Sequence, residues 1–279
     1  MTNTHPAPIS PSMFALLAAL FVLFWSSGFV AAKFGFPYAE PFTFLGTRFV
    51  LASVLLLALC FALGAQWPRR LRDYGHIAVA GLLVQSVYLV GVYYGIYLGV
   101  STGVMALIVG LQPLITGALV GPFLGESVSR RQWLGLGLGF GGLSLVVVEK
   151  IGLGEAVWFG YVLAVMGLVA ITAGTLYQKK FCTEFDVRTT VAIQNVVSCV
   201  LMLVLAYQFE TMEVSWTGEY VFALLWSAVA LSVIAIMVFY YIVARGAATK
   251  VTSLMYLTPP TTALMGWVVF GETLALLAV

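Results

Sequence analysis

Two histidines, His5 and His76, and three cysteines, Cys60, Cys182 and Cys199, are all the chain offers for metal or nucleophile chemistry. A structural zinc site needs Cys and His ligands paired within a few residues, and a catalytic triad needs a histidine beside its nucleophile. Neither is expected from these positions, and the cysteines read as buried small hydrophobes. Gly137, Gly139 and Gly142 satisfy G-x-G-x-x-G, but a dinucleotide site needs a strand before the motif and an acid about 20 residues after it. Here the motif lies in a glycine-rich apolar run. No two acids share an apolar run, so paired-carboxylate catalysis is not expected either. An enzyme is therefore not expected, and neither is a cofactor or a metal. What remains is recognition chemistry: one cation, Arg48, inside an apolar run, together with Gln112 and the aromatics Trp25, Tyr88, Tyr93, Trp158, Tyr240 and Tyr256.

The elements that hold these residues follow from composition. Of 279 residues, 62% are apolar by type and 9% are charged, against about 25% charged in soluble proteins. So few charges exclude a soluble globular enzyme and a disordered chain. The net charge of +2 gives no reason to expect nucleic acid. A bilayer span needs about 20 apolar residues, and the intervals between charge clusters repeat that length. Spans are expected near 13–33, 41–64, 75–98, 102–122, 131–149, 157–178, 188–209, 219–243 and 250–270. The segment His5-Pro6-Ala7-Pro8 lacks the basic flank of a signal peptide, so the first run is read as a mature helix.

Orientation follows from Lys and Arg. Ten fall in connections that share one side: Arg69, Arg70, Arg72, Arg130, Arg131, Lys179, Lys180, Arg188, Arg245 and Lys250. Lys33 and Lys150 alone lie on the other. By the positive-inside rule the N-terminus is cytoplasmic.

A shift of 146 residues lays one half of the chain on the other. Pro113 falls on Pro259, Thr116 on Thr262, Gly125-Glu126 on Gly271-Glu272, Gly28 on Gly174, Lys33 on Lys179 and Tyr94 on Tyr240. The first half holds five spans, an odd number, so the second enters the membrane from the opposite face. The expected fold is an all-α polytopic membrane protein of two inverted five-helix repeats, with nine of ten helices complete. A tail over 1–12 precedes a first repeat over 13–149, and a second, inverted repeat over 157–279 carries a truncated tenth helix. Inverted repeats with interrupted helices at matching points mark transporters and their binding sites. Pro113 frees the carbonyl of Val109, and Pro259 with Pro260 frees those of Met255 and Tyr256. Both segments are expected to border a substrate path; a simple structural kink is the other reading.

The segments LFWSSGFVAAKFG, LQPLITGALVGPFLGE and LTPPTTALMGWVVFGE resemble the EamA-type branch of the drug/metabolite transporter superfamily. Within it the likeness is to bacterial aromatic amino-acid exporters of the YddG kind. The resemblance implies ten helices in two inverted halves around a central cavity lined by helices 1, 3, 4, 6, 8 and 9. It further implies a carrier in the bacterial inner membrane that exports neutral or aromatic amino acids by alternating access. A broad-specificity drug or metabolite efflux carrier is the alternative, as is a non-transport channel or scaffold. The partners are a small-molecule substrate and the lipid bilayer, with a homodimer left open.

Polar groups within spans are costly and tend to face a bundle interior or an aqueous cavity. Trp25, Tyr93, Gln112 and Tyr256 are therefore expected at a substrate cavity, with Tyr88 and Tyr240 beside them and Trp158 at its outer mouth. Core packing and belt anchoring are the structural alternatives. Gln85, Gln194 and Ser232 also lie mid-span and are expected to face the bundle interior or an aqueous cavity, with interhelical hydrogen bonding as the structural reading. Arg48 either pairs structurally, with Glu40 or within the bundle, or meets a substrate carboxylate in the two-pronged geometry that Lys cannot match.

Overall fold

The computed structural model describes residues 10–100, 102–148, 158–245 and 251–270. The tail 1–9, Lys150, Lys250, Gly271-Glu272 and the expected tenth helix lie outside the described residues. So does the Lys33 side chain.

Nine helices run through the described residues: α1 (Pro11–Gly35), α2 (Pro41–Ala62), α3 (Leu71–Tyr97), α4 (Thr102–Val109 and Gln112–Leu124), α5 (Arg130–Val148), α6 (Trp158–Phe181), α7 (Val187–Phe209), α8 (Gly218–Arg245) and α9 (Ser253–Leu257, then Thr258–Phe270). Six of them contain stretches long and apolar enough to cross a membrane. Proline occupies the first turn of α2, where its missing N–H costs nothing. Side chains of Asp186 and Thr217 cap α7 and α8, and Gly125, in the left-handed region at φ +69°, ends α4. Large apolar side chains such as Val54, Leu138, Val165, Val200 and Val268 remain exposed around the outside. That surface suits lipid, in which the helices satisfy their own backbone groups.

The core forms where the two halves meet. α2 and α7, repeat mates, make the most extensive helix pair and run antiparallel. Glu210, just past the end of α7, accepts from the backbone N–H groups of Phe42 and Thr43 at the start of α2 (2.7 and 2.6 Å) and from the Thr43 hydroxyl (2.8 Å). Glu40 accepts in turn from the N–H and hydroxyl of Thr211. At the other end, Asp186 accepts from the N–H of Gln66, just past α2. Other close pairings recur under the same exchange of halves: α3 on α6 as α8 on α1, α4 on α6 as α9 on α1, α3 on α7 as α8 on α2. The repeat is therefore inverted.

Glycine sets the tightest of these contacts. A Cβ on Gly91 of α3 would stand 2.5 Å from the Leu163 carbonyl oxygen and 2.7 Å from the Gly167 Cα of α6. Small residues facing each other let membrane helices approach this closely. The basic connections gather at one end of the bundle, called the basic end below. There Lys179 meets Glu126, Arg188 holds Asp186, and His76 joins Arg72 to Tyr177.

Candidate substrate cavity

Both interrupted helices break beside their prolines rather than bending smoothly. α4 stops at Val109, turns through Gly110 and Leu111, and restarts with Pro113 in its first turn. α9 passes through a 3₁₀ turn over Ser253–Leu257 and becomes α-helical again with Pro259 and Pro260 in the first turn of the following segment. A second irregularity was not foreseen. Leu82–Val87 of α3 and Ser227–Ala235 of α8 are π-helical, at matching positions of the two repeats. A π-helical turn adds a residue and swings side chains off the regular stripe, which is why such turns recur at functional sites.

The α3 and α8 π-segments flank a cavity formed by α1, α2, α3 and α8. It is lined by Trp25, Phe36, Arg48, Gln85, Tyr88 and Tyr93 with several aliphatic residues. Trp25 stacks on Tyr88 with centroids 6.2 Å apart, and Phe36 meets Tyr93 edge-on at 5.1 Å. Arg48 is only 5% exposed, so it does not snorkel out. Glu40 is turned to Thr211 and does not pair with it. Instead Arg48 Nε donates to the Ser232 hydroxyl at 2.8 Å, and its Nη1 lies 3.5 Å from the Tyr93 hydroxyl. Among the described residues no carboxylate pairs with Arg48. A guanidinium has five N–H donors, so this cation keeps donors for a further partner. The cavity holds about 60 Å³, room for about four to six waters at 10–15 Å³ each.

A second, wider hollow opens at the basic end between α6, α7 and α8. It holds about 600 Å³ and is lined by Gln178, Thr190, Tyr240 and Arg245 among others. That volume lies in the range of small-molecule sites, about 300–1,000 Å³. Between the two hollows run three buried amides. Gln85 Nε2 donates to Gln194 Oε1 at 3.2 Å, and Gln194 Nε2 donates to Gln178 Oε1 at 2.9 Å.

The structure thus divides the residues expected at one site. Trp25, Arg48, Tyr88 and Tyr93 meet in the aromatic cavity, and Tyr240 lines the hollow at the basic end. Gln112 is buried between α4 and α6, with its Nε2 3.4 Å from the Thr175 hydroxyl and its Oε1 without a partner. Tyr256 lies over Gly139 of α5, and Trp158, 72% exposed, packs its ring on Phe159. None of these three lines either hollow. Pro113 and Pro259 line neither, but the break at Pro259 adjoins α1: the Ser26 hydroxyl donates to the Thr258 carbonyl and that of Thr262 to the Ser26 carbonyl.

The model of the EamA-like transporter family matches the chain twice, over residues 12–148 and 158–279. The chain belongs to the EamA-like transporter family. Among its relatives, the uncharacterized transporter YvbV of Bacillus subtilis is 29% identical over 88% of this chain and 80% of its own length. The uncharacterized inner membrane transporter YedA of Escherichia coli is 25% identical over 94% and 84%. A solved crystal structure superposes with a TM-score of 0.81 over 96% of this chain and 93% of its own, at 18% identity, and shares the fold. This EamA-like protein is a multi-pass membrane transporter.

Three residues that matter to the geometry, Gln85, Gln194 and Ser232, read from the sequence only as interior polar groups. The signal that sets two of them apart is the repeat offset. It places Gln194 on Arg48 and Ser232 on Ser86, whereas Gln85 falls on Leu231 and carries no such signal.

Proposed function

We propose that this transporter exports carboxylate-bearing aromatic solutes, aromatic amino acids foremost, by alternating access. The observation that carries the reading is Arg48: a buried cation without a described carboxylate partner, held by Ser232 and Tyr93 at the edge of an aromatic cavity. An unneutralised charge within a span is costly and marks a functional site. A substrate carboxylate supplies the missing anion in two-pronged geometry. The Trp25–Tyr88 stack offers ring faces to an aromatic side chain. A drug-efflux cavity selecting only by hydrophobicity has no need of this cation.

The wide hollow at the basic end and the tight aromatic cavity favour a carrier open to one side over a channel. With ten basic residues on the side of the N-terminus, that side is the cytoplasm, and the transporter belongs to a bacterial inner membrane. The test is counterflow in proteoliposomes. Labelled phenylalanine should exchange against unlabelled phenylalanine, tryptophan and 3-phenylpropanoate, and poorly against phenethylamine, which lacks the carboxylate. Equal competition by phenethylamine refutes the reading.

A further inference from the structure

The hollow at the basic end carries buried polar chemistry with no partner. Tyr240 is 3% exposed and Thr190 is 1% exposed. Both line the hollow, and the hydroxyls of both lack a hydrogen-bond partner. The Tyr240 hydroxyl faces Gln194, whose amide is engaged with Gln85 and Gln178. Buried polar groups are nearly always satisfied, so two orphan hydroxyls on side chains that line one roomy hollow point to a ligand that pairs with them. Gln178, Glu184, Asp186 and Arg245 are among the other residues of the lining.

The repeat says what kind of site this is. Gln194 is the mate of Arg48, and Ser86 is the mate of Ser232, each 146 residues apart. In one half Arg48 of α2 bonds the π-helical segment of α8 through Ser232. In the other, Gln194 of α7 bonds the π-helical segment of α3 through Gln85. The polar centres of the two halves are thus inverted counterparts, one a guanidinium at the aromatic cavity and the other a neutral amide bonded to Gln178 of the wide hollow's wall. Through Gln178, Gln194 and Gln85 the amides form a continuous polar file from the wide hollow to the aromatic cavity.

We propose that the hollow at the basic end is a second binding station for the transported solute, where the Tyr240 and Thr190 hydroxyls donate to its carboxylate. The proposal rests on the carboxylate reading of Arg48 given above. The two hydroxyls are neutral donors, weaker than charged ones, and Arg245 is the cation of the same lining. Glu184 at its mouth suits the ammonium of an amino acid. The carboxylate then passes along the amide file to Arg48 as the bundle rearranges.

Thiol protection tests this in everted vesicles, which turn the basic end outward. Thr183, at the edge of the hollow, is changed to Cys in a background with Cys60, Cys182 and Cys199 replaced by Ala and counterflow intact. Phenylalanine should slow labelling by an impermeant maleimide. Tyr240→Phe with Thr190→Val should raise the phenylalanine concentration needed for protection at least tenfold, with Thr190→Val alone shifting it the same way by less. Arg48→Lys should leave it within twofold. Protection unchanged in both hydroxyl variants, or absent while phenylalanine counterflow persists, overturns the station alone. Protection and counterflow for which phenethylamine competes as well as phenylalanine does overturn the carboxylate reading, and the station with it.

Discussion

Replacing Arg48 by Lys keeps the charge and removes the fork. In the native cavity the Nε of Arg48 is committed to Ser232 at 2.8 Å, which fixes the guanidinium plane and leaves the Nη groups for a solute. A lysine ammonium has no such division of labour, since a single nitrogen must serve both Ser232 and the carboxylate. One of the two charged hydrogen bonds to the carboxylate is lost. A hydrogen bond to a charged group contributes about 1.5–3 kcal/mol, and about 1.4 kcal/mol is tenfold in affinity. The half-saturation concentration for phenylalanine should therefore rise about 10- to 100-fold. Phenethylamine, with no carboxylate, should hardly change. Proteoliposome counterflow with both solutes, at matched protein incorporation, measures the ratio directly. Equal effects on the two solutes, in either direction, refute the assignment and leave Arg48 as a packing and anchoring residue.

Three further outcomes follow from the fold. Glu210→Ala deprives Phe42 and Thr43 of their N–H acceptor at the start of α2; at about 1–3 kcal/mol per unsatisfied buried group and with part exposure, detergent-solubilised protein should lose about 1–3 kcal/mol, read as a lower midpoint in thermal unfolding. Gly91→Leu puts side-chain atoms into the backbone of α6, where even a Cβ would lie 2.5 Å from the Leu163 carbonyl oxygen, and should abolish well-folded protein in size-exclusion profiles, whereas Gly75→Ala, with open space around it, should not. The Asp186 carboxyl is held below the usual carboxylate range, chiefly by its hydrogen bond from Arg188 against an opposing effect of burial. A depressed folded value means that its contribution is present above the unfolded value of about 3.9 and is lost as pH falls through the lower folded value. The stability gap between wild type and Asp186→Asn should therefore close below about pH 4 and hold steady at neutral pH.

Much of the architecture was legible because lipid imposes a simple rule on sequence. Span length, basic asymmetry and the odd number of spans per half lead directly to an inverted all-helical bundle, and the antiparallel α2–α7 pair bears that out. Local departures from helicity were less legible. Pro113 and Pro259 announce breaks through a missing N–H, but nothing in LLVQSV or SAVALSVIA signals a π-turn, which arises from packing between the halves. Depth along a helix also says little about azimuth. Tyr93, Gln112 and Tyr256 all sit mid-span, yet Tyr93 faces the cavity, Gln112 faces α6 and Tyr256 faces α5. Helices apolar on every side carry no stripe to show which face looks inward. Tertiary contacts decide it.

The repeat explains how one fold can hold a solute at two levels and still move it one way. Perfect inversion would give two equivalent sites and no preference for either. The chain departs from inversion where it matters most: position 48 is Arg and its mate 194 is Gln. A buried cation binds an anion more tightly than an amide does, so the two counterparts differ in affinity. Gln194 is also tied into a file of amides, to Gln85 on one side and Gln178 on the other. Arg48 is held from one side by Ser232 and adjoins Tyr93 and the open cavity. The neutral centre therefore suits passage and the charged centre suits capture. Putting Arg at position 194 alongside Arg48 would make both levels strong binders and should slow turnover while tightening binding.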